Sequence, residues 1–349
     1  RYCIVPTWQF PTPSTKLRAH NSQSHRYRSM SLNAIETSVD SRSFEITPYS
    51  VTIGGEVNGI DLRETLTNEQ VEGLRTALLD RKVLFFRNQE ITTEQHLEFA
   101  RNFGDLEVHP FAPHKEGYPE VLAITHDKDR PGQENGWHSD VTWRLEPSLG
   151  SILRCLESPP IGGDTLFSDM YAAFENLPEA VREIVEGKKA VHDFEGFRVR
   201  MRARGASEQQ IAEFDETYPN PEHPVIRTHP ETGRKGIYVN SAFTKYIIGM
   251  DKAESDAILA ILYQQANYPE YQCRFRWAKN SIAFWDNRAC QHYATSDYWP
   301  HNRIVERVTI IGDKPYYEEG EPVTMPDESP FRGRIKRQHK EPGPSLFKT

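Results

Sequence analysis

The chain has 349 residues with 42 Lys and Arg against 50 Asp and Glu, a net charge of −8, which argues against a general nucleic-acid binder. At about 150 residues per domain the length fits two domains or one large enzyme domain. No apolar run approaches the roughly 18 residues of a membrane span, and Cys3, Cys155, Cys273 and Cys290 form no CxxC pair, which points to a reducing, cytoplasmic compartment rather than a disulfide scaffold.

Residues 1–29 carry Arg and Lys among Ser, Thr and Pro with no acid. Residues 1–43 are therefore expected to be a disordered extension, with Met30 as the start of the working protein. A transit peptide is the competing reading, disfavoured by Pro11 and Pro13. A single domain is expected over 44–317, followed by a Pro-, Gly- and charge-rich tail at 318–349.

Within 44–317, FEITPYSVTI at 44–53 predicts strands around a turn. Thr67 and Gln70 make a capping-box start for a helix through VEGLRTALLD. VLFF at 83–86 predicts a buried strand, and Glu94 to Phe103 a short helix closed by Gly104. VLAIT at 121–125 and SILRCLE at 151–157 predict strands, and IGGDTLFSD at 161–169 a turn and strand. Helices are expected near 170–187 and 251–266. VIRTH and GIYVN flank PETGRK as a hairpin, and CRFRW, SIAFWD and RIVERVTII predict late strands. With no Gly-rich βαβ nucleotide loop, the pattern favours an antiparallel sandwich or barrel.

The sharpest short feature is His138-Ser139-Asp140. On a strand, residues i and i+2 share a face, so an imidazole and a carboxylate reach one metal ion. One more His completes the facial triad that leaves three positions open on non-haem Fe(II). Taken singly, a His-x-acid pair is more often a surface His beside a solvated acid. Context separates the candidates. His339-x-Glu341 lies in the basic tail, His229-x-Glu231 at the hairpin turn and His114-x-Glu116 in a Pro- and Gly-containing loop. His138 and Asp140 lie among Trp137, Val141 and Trp143. His292, after the Asn287-Arg288 turn, suits the third position, although a lone His after a turn is more often structural.

In RIVERVTII, Arg303, Val305, Arg307 and Thr309 share one face. If that face is inward, each Arg needs an anion, or one serves an anion and the other an internal acid. If it is outward, both are solvated.

Trp137-His138-Ser139-Asp140-Val141-Thr142, Gly162-Gly163-Asp164-Thr165, Trp285-Asp286-Asn287-Arg288, His292 and Arg303-x-x-x-Arg307 together resemble the TauD/TfdA group. HPVIRTHPETGRKGIYVN at 223–240 and GDKPYY at 312–317 add to the resemblance. It covers about residue 44 to Tyr317. It implies a mainly β fold with flanking helices, a double-stranded β-helix or jelly roll, and a dioxygenase using Fe(II), 2-oxoglutarate and O2. His138, Asp140 and His292 then match the iron ligands, which are also the catalytic centre. Thr165 and Arg303 match the residues holding the distal carboxylate of 2-oxoglutarate. Arg307 matches the group on the anionic end of the prime substrate, and His109 falls at a substrate-contacting position. Phe243 and Trp285 are expected to line the pocket. The acid at 140 favours hydroxylation over halogenation. The family commonly forms homodimers or homotetramers, and the implied partner is a small anionic organic substrate, with no nucleic acid and no membrane.

The taurine pattern places Tyr where this chain has Ala112, and Asn where it has Glu134. A roomier pocket follows, suited to a longer alkanesulfonate or alkyl sulfate, hydroxylated beside the sulfur group to release sulfite or sulfate and an aldehyde. An aryloxyacetate or other carboxylate is the alternative. A non-catalytic jelly-roll binding module would not retain all these residues. A zinc hydrolase would need a general base, and none stands at motif spacing.

Overall fold

The computed structural model describes residues 44–132 and 134–320. The expected extension at 1–43 and the tail beyond 320 lie outside the described residues. Strands β1 (Glu45–Pro48) and β2 (Gly55–Asn58) pair antiparallel. Helix α1 (Asn68–Arg81) begins at the expected box: the Thr67 hydroxyl accepts from Gln70 N, and the Gln70 side chain accepts from Thr67 N. Strand β3 (Val83–Phe86) follows. Helix α2 (Thr93–Arg101) starts one residue before the expected Glu94, because Thr92 and Gln95 form a second capping box.

Next come β4 (His114–Lys115), β5 (Tyr118–His126), β6 (Ser148–Glu157) and β7 (Thr165–Asp169). The expected helix near 170–187 is two, α3 (Met170–Glu175) and α4 (Glu179–Val185), interrupted at Pro178, which cannot donate to a continuous helix. Sequence periodicity left 188–222 unassigned. It holds β8 (Lys189–His192), α5 (Glu195–Ala203), α6 (Glu208–Thr217) and the start of β9 (Glu222–Pro224). The expected hairpin forms from β10 (Ile226–Thr228) and β11 (Lys235–Ile237), the second strand ending at Ile237 rather than running through GIYVN. Then follow β12 (Thr244–Ile247), α7 (Lys252–Gln265), β13 (Gln272–Phe275), β14 (Ile282–Asp286), β15 (Cys290–Ala294) and β16 (Arg303–Ile311).

Eight strands form the major sheet in the order β1-β2-β3-β14-β6-β16-β5-β4, and β13-β7-β15 form a minor sheet. Alternation along each strand builds two apolar layers. Val83, Phe85, Ala283, Trp285, Leu153 and Val305 meet residues such as Phe167 and Phe275 of the minor sheet. Leu84, Phe86, Ile282, Phe284, Ile152 and Val308 join a second cluster with Leu74 and Leu78 of α1 and Leu97 and Phe99 of α2. VLFF is apolar at every position because both its faces are covered. Phe85 stacks on Phe275 with ring centroids 4.1 Å apart. Phe85→Ala should cost about 3–5 kcal/mol in urea unfolding, since the rigid sheets cannot close the cavity.

The same alternation settles the inward or outward question on β16. Val305 lies between the sheets, and Val308 and Ile310 lie on the helix side. Arg303 and Arg307 therefore face inward. Glu306, on the opposite face, accepts hydrogen bonds from Arg154 at 2.8 Å and Lys115 at 2.5 Å.

Candidate active site

His138, Asp140 and His292 converge, their ligand atoms all within 4.8 Å of one another. Among the described residues no other group of three His, Cys, Asp or Glu side chains does so. Asp140 Oδ1 lies 3.9 Å from Nε2 of His138 and 3.9 Å from Nε2 of His292. The segment differs from the expected strand. His138 makes a single antiparallel bridge to His292, with backbone bonds of 3.1 and 2.8 Å in the two directions. The chain then turns at Asp140, with Val141 at φ 48°. A continued strand would carry the ladder past the site, whereas the turn lets Asn287 Oδ1 take the Asp140 N–H at 3.0 Å.

Each ligand is oriented by neighbours. His138 Nδ1 donates to Gly136 O at 2.7 Å, so Nε2 is the ring nitrogen turned to the site. His292 packs on Trp285, ring centroids 4.9 Å apart, and on Phe167. Burial pulls the His292 pKa down to about 3, with His138 adding to it, so the ring is a neutral donor at pH 7. Against the desolvation of burial, Arg307, His292 and His138 hold the Asp140 carboxyl well below the usual carboxylate range. Asp140 Oδ2 accepts from Ser151 Oγ at 2.7 Å. Asn287 is itself fixed by Trp285 Nε1 at 3.0 Å and by Ser148 Oγ at 2.9 Å. Two imidazoles and one carboxylate are the donor set of the facial triad.

Arg303 is 5% exposed, and its Nε and Nη2 have no hydrogen-bond partner among the described residues. Burial pulls its pKa down, with no carboxylate bonded to it in compensation. A buried cation left with open donors fits an anion that completes it. Trp277 links Arg303 to Thr165: its ring lies 5.8 Å from the guanidinium carbon, and its Nε1 donates to Thr165 Oγ1 at 3.0 Å. With that lone pair engaged, the Thr165 hydroxyl proton is free to donate. Gly163, at φ 71°, sits against the cradle, where a Cβ would fall 3.3 Å from Arg303 Cδ and 3.0 Å from Pro159 Cγ. These donors suit the far carboxylate of 2-oxoglutarate.

Arg307 is the Arg with an internal acid: its Nη1 donates to Asp140 Oδ1 at 2.7 Å. Its Nε has no hydrogen-bond partner among the described residues. His109 stands close enough for Arg307 to help lower its pKa to about 4, burial being the larger cause. His109 Nδ1 accepts from Phe111 N at 3.2 Å and Ala112 N at 3.1 Å, so the neutral ring carries its proton on Nε2, a donor for an anion. Phe243 lies 6.2 Å from the His138 ring and 5.7 Å from Phe194. Phe194 stacks on Trp143 at 4.8 Å, and Phe197 stacks on Phe111 at 4.4 Å. An aromatic wall thus runs outward from the triad along α5 and α6.

Trp285 and Glu134, both expected at the pocket, differ in exposure. Trp285 faces the inter-sheet core and props His292. Glu134 is exposed, 3.5 Å from His126 Nε2, and its charge acts on Tyr298 and Arg303. Sequence reasoning gave no role to Asn287, Ser151 or Trp277. Asn287 stood inside a quoted motif, Trp277 read only as a strand residue, and Ser151 carried no signal.

A sequence model described as "Taurine catabolism dioxygenase TauD, TfdA family" matches residues 45–309. The chain is 34% identical over 296 residues to an alpha-ketoglutarate-dependent sulfate ester dioxygenase of Pseudomonas putida, a match spanning 84% of this chain and 97% of that protein. It is 36% identical over 267 residues to an alkylsulfatase of Acinetobacter baylyi, spanning 75% and 83%. A solved taurine dioxygenase from Burkholderia xenovorans superposes with a TM-score of 0.68 at 37% identity, covering 80% of this chain and 94% of that one.

Proposed function

We propose a substrate class for this chain, which belongs to the TauD/TfdA family of dioxygenases: an organic sulfate ester or sulfonate with an apolar tail. With Fe(II), 2-oxoglutarate and O2 bound, such a site couples oxidative decarboxylation, giving succinate and CO2, to hydroxylation of a substrate C–H. His138, Asp140 and His292 would hold the metal. Arg303 and the Thr165 hydroxyl would hold the distal carboxylate of 2-oxoglutarate. Arg307 and His109 Nε2–H would take the sulfur oxyanion and so set the adjacent carbon toward the triad. A hydroxyl on that carbon makes the sulfate or sulfite a leaving group, and an aldehyde remains.

The observation that carries this reading is the pairing of two anion donors, Arg307 and His109, with an aromatic wall, while Ala112 stands where the taurine pattern has a Tyr. A small zwitterion gains little from stacked rings, whereas burying an alkyl chain contributes about 0.8 kcal/mol per CH2. Similarity to proteins named for sulfate esters supports sulfur over a carboxylate. We also propose a cytoplasmic enzyme. Cys155, Cys273 and Cys290 are buried free thiols, and among the described residues no helix is long and apolar enough to cross a membrane.

The test is succinate formation across taurine, longer alkanesulfonates, alkyl sulfates and aryloxyacetates. Hexyl sulfate or a longer ester should stimulate at least about tenfold more than taurine at equal concentration, from roughly two or more extra buried CH2 groups. Stimulation led by aryloxyacetates would move the assignment to carboxylates. Stimulation led by taurine would remove the role given to the aromatic wall.

A further inference from the structure

The oxygen of Asp140 that faces both imidazoles is the same one that Arg307 holds. Oδ1 lies 3.9 Å from each His Nε2 and 2.7 Å from Arg307 Nη1, whereas Oδ2 is occupied by the Ser151 hydroxyl. The Arg307 side chain is only 17% exposed and that of Asp140 4%, so water screens this contact weakly. A permanent cation therefore sits directly against the one charged donor of the triad.

We propose that Arg307 opposes metal binding until an anion neutralises it, so that the divalent metal and the anionic substrate bind with positive coupling through this one side chain. Two physical effects act in the same direction. The guanidinium repels a second cation at close range. Its hydrogen bond also draws electron density from the oxygen that must donate to the metal. A sulfate or carboxylate beside Arg307, whose buried Nε has no hydrogen-bond partner among the described residues, removes most of that field. Reciprocity follows from linkage: whatever factor the anion adds to metal affinity, the metal adds to anion affinity. The enzyme then assembles its metal site most firmly when a substrate is in place. The identity of the anion rests on the substrate reading above, and the antagonism between Arg307 and the metal does not.

Co(II) titrated into the metal-free full chain at pH 8, followed by visible absorption, tests both parts. Arg307→Gln should bind Co(II) about tenfold or more tightly than the unsubstituted chain without any anion, a conservative figure for removing one charge so close to a divalent ion. Arg307→Lys, which keeps the charge, should stay near the unsubstituted value. Hexyl sulfate should tighten Co(II) binding to the unsubstituted chain about tenfold, 1-hexanol should not, and neither should affect Arg307→Gln. Equal or weaker Co(II) binding by a folded Arg307→Gln would overturn the proposal. If that variant fails to fold, the unsubstituted chain decides: hexyl sulfate that stimulates succinate formation without tightening Co(II) overturns it equally. Hexyl sulfate that does neither, beside a tight-binding Arg307→Gln, counts against the sulfate ester and supports the role of Arg307.

Discussion

Asp140→Ala should lower substrate-stimulated succinate formation by more than about 10³-fold and remove saturable Co(II) binding in the micromolar range. The three ligands are unequal. An imidazole that ligates a metal brings no charge, so the carboxylate is the one member that offsets a divalent ion. The substitution also strands the groups around it. Arg307 Nη1 loses its acceptor, and Ser151 Oγ loses the carboxylate oxygen 2.7 Å away. Leaving buried donors unmatched costs about 1–3 kcal/mol in folding, so the metal-free variant should be less stable than the parent in urea at pH 7. The dependence on pH has a definite sign. The carboxyl of Asp140 is held below its unfolded value, so its contribution is fully present above about pH 4 and fades as pH falls further. The two unfolding curves should therefore converge in acid and stay separated at neutral pH. Tight Co(II) binding by Asp140→Ala would place the metal on other donors.

Local chemistry made much of the fold legible. The Thr67 and Gln70 capping box, the two-faced apolar run at 83–86 and the hairpin around PETGRK all act over a few residues, where sequence and geometry are tied directly. Pro178 shows the limit of periodicity, since the pattern of 170–187 reads as one helix and the ring makes it two. Helices α5 and α6 escaped because much of their surface is exposed and charged, with Ile211 and Phe214 as the buried apolar residues of the pair. On β16, alternation offered two faces and could not choose. The choice came from packing, which put Val308 and Ile310 against the helices.

The site divides in the same way. His138 and Asp140 are neighbours in sequence and could be paired by spacing. His292 reaches them only through the bridge between two distant segments, so its selection leaned on family resemblance. Asn287, Ser151 and Trp277 are ordinary polar or aromatic residues until the sheets pack. What makes them matter is a tertiary hydrogen bond to a functional side chain, which no periodicity encodes.

Arg303→Met is expected to separate function from stability in opposite directions. Arg303 is a buried cation whose Nε and Nη2 find no partner among the described residues. Met keeps a similar length and flexible packing and removes the unsolvated charge. Replacing even a buried ion pair by apolar chains is often neutral or stabilising by about 1–4 kcal/mol, and a buried charge without a bonded partner has less to lose, so the variant should unfold at equal or higher urea than the parent when no 2-oxoglutarate is present. Function should move the other way. A charge-assisted pair to a carboxylate, lost from a desolvated site, costs about 3–5 kcal/mol, which corresponds to a rise of about 10²–10⁴-fold in the KM for 2-oxoglutarate. Co(II) binding without 2-oxoglutarate should be nearly unchanged, because Arg303 makes no hydrogen bond to the triad, whereas Arg307 does. The combination matters more than any one part. A structural Arg would lower stability on removal, and a surface Arg would change nothing. Only a cradle built for an absent anion gains stability as it loses its ligand, since a site that binds keeps donors open that folding alone would have closed. A marked loss of stability in Arg303→Met, with 2-oxoglutarate KM unchanged, would make Arg303 a structural residue and send the distal carboxylate elsewhere.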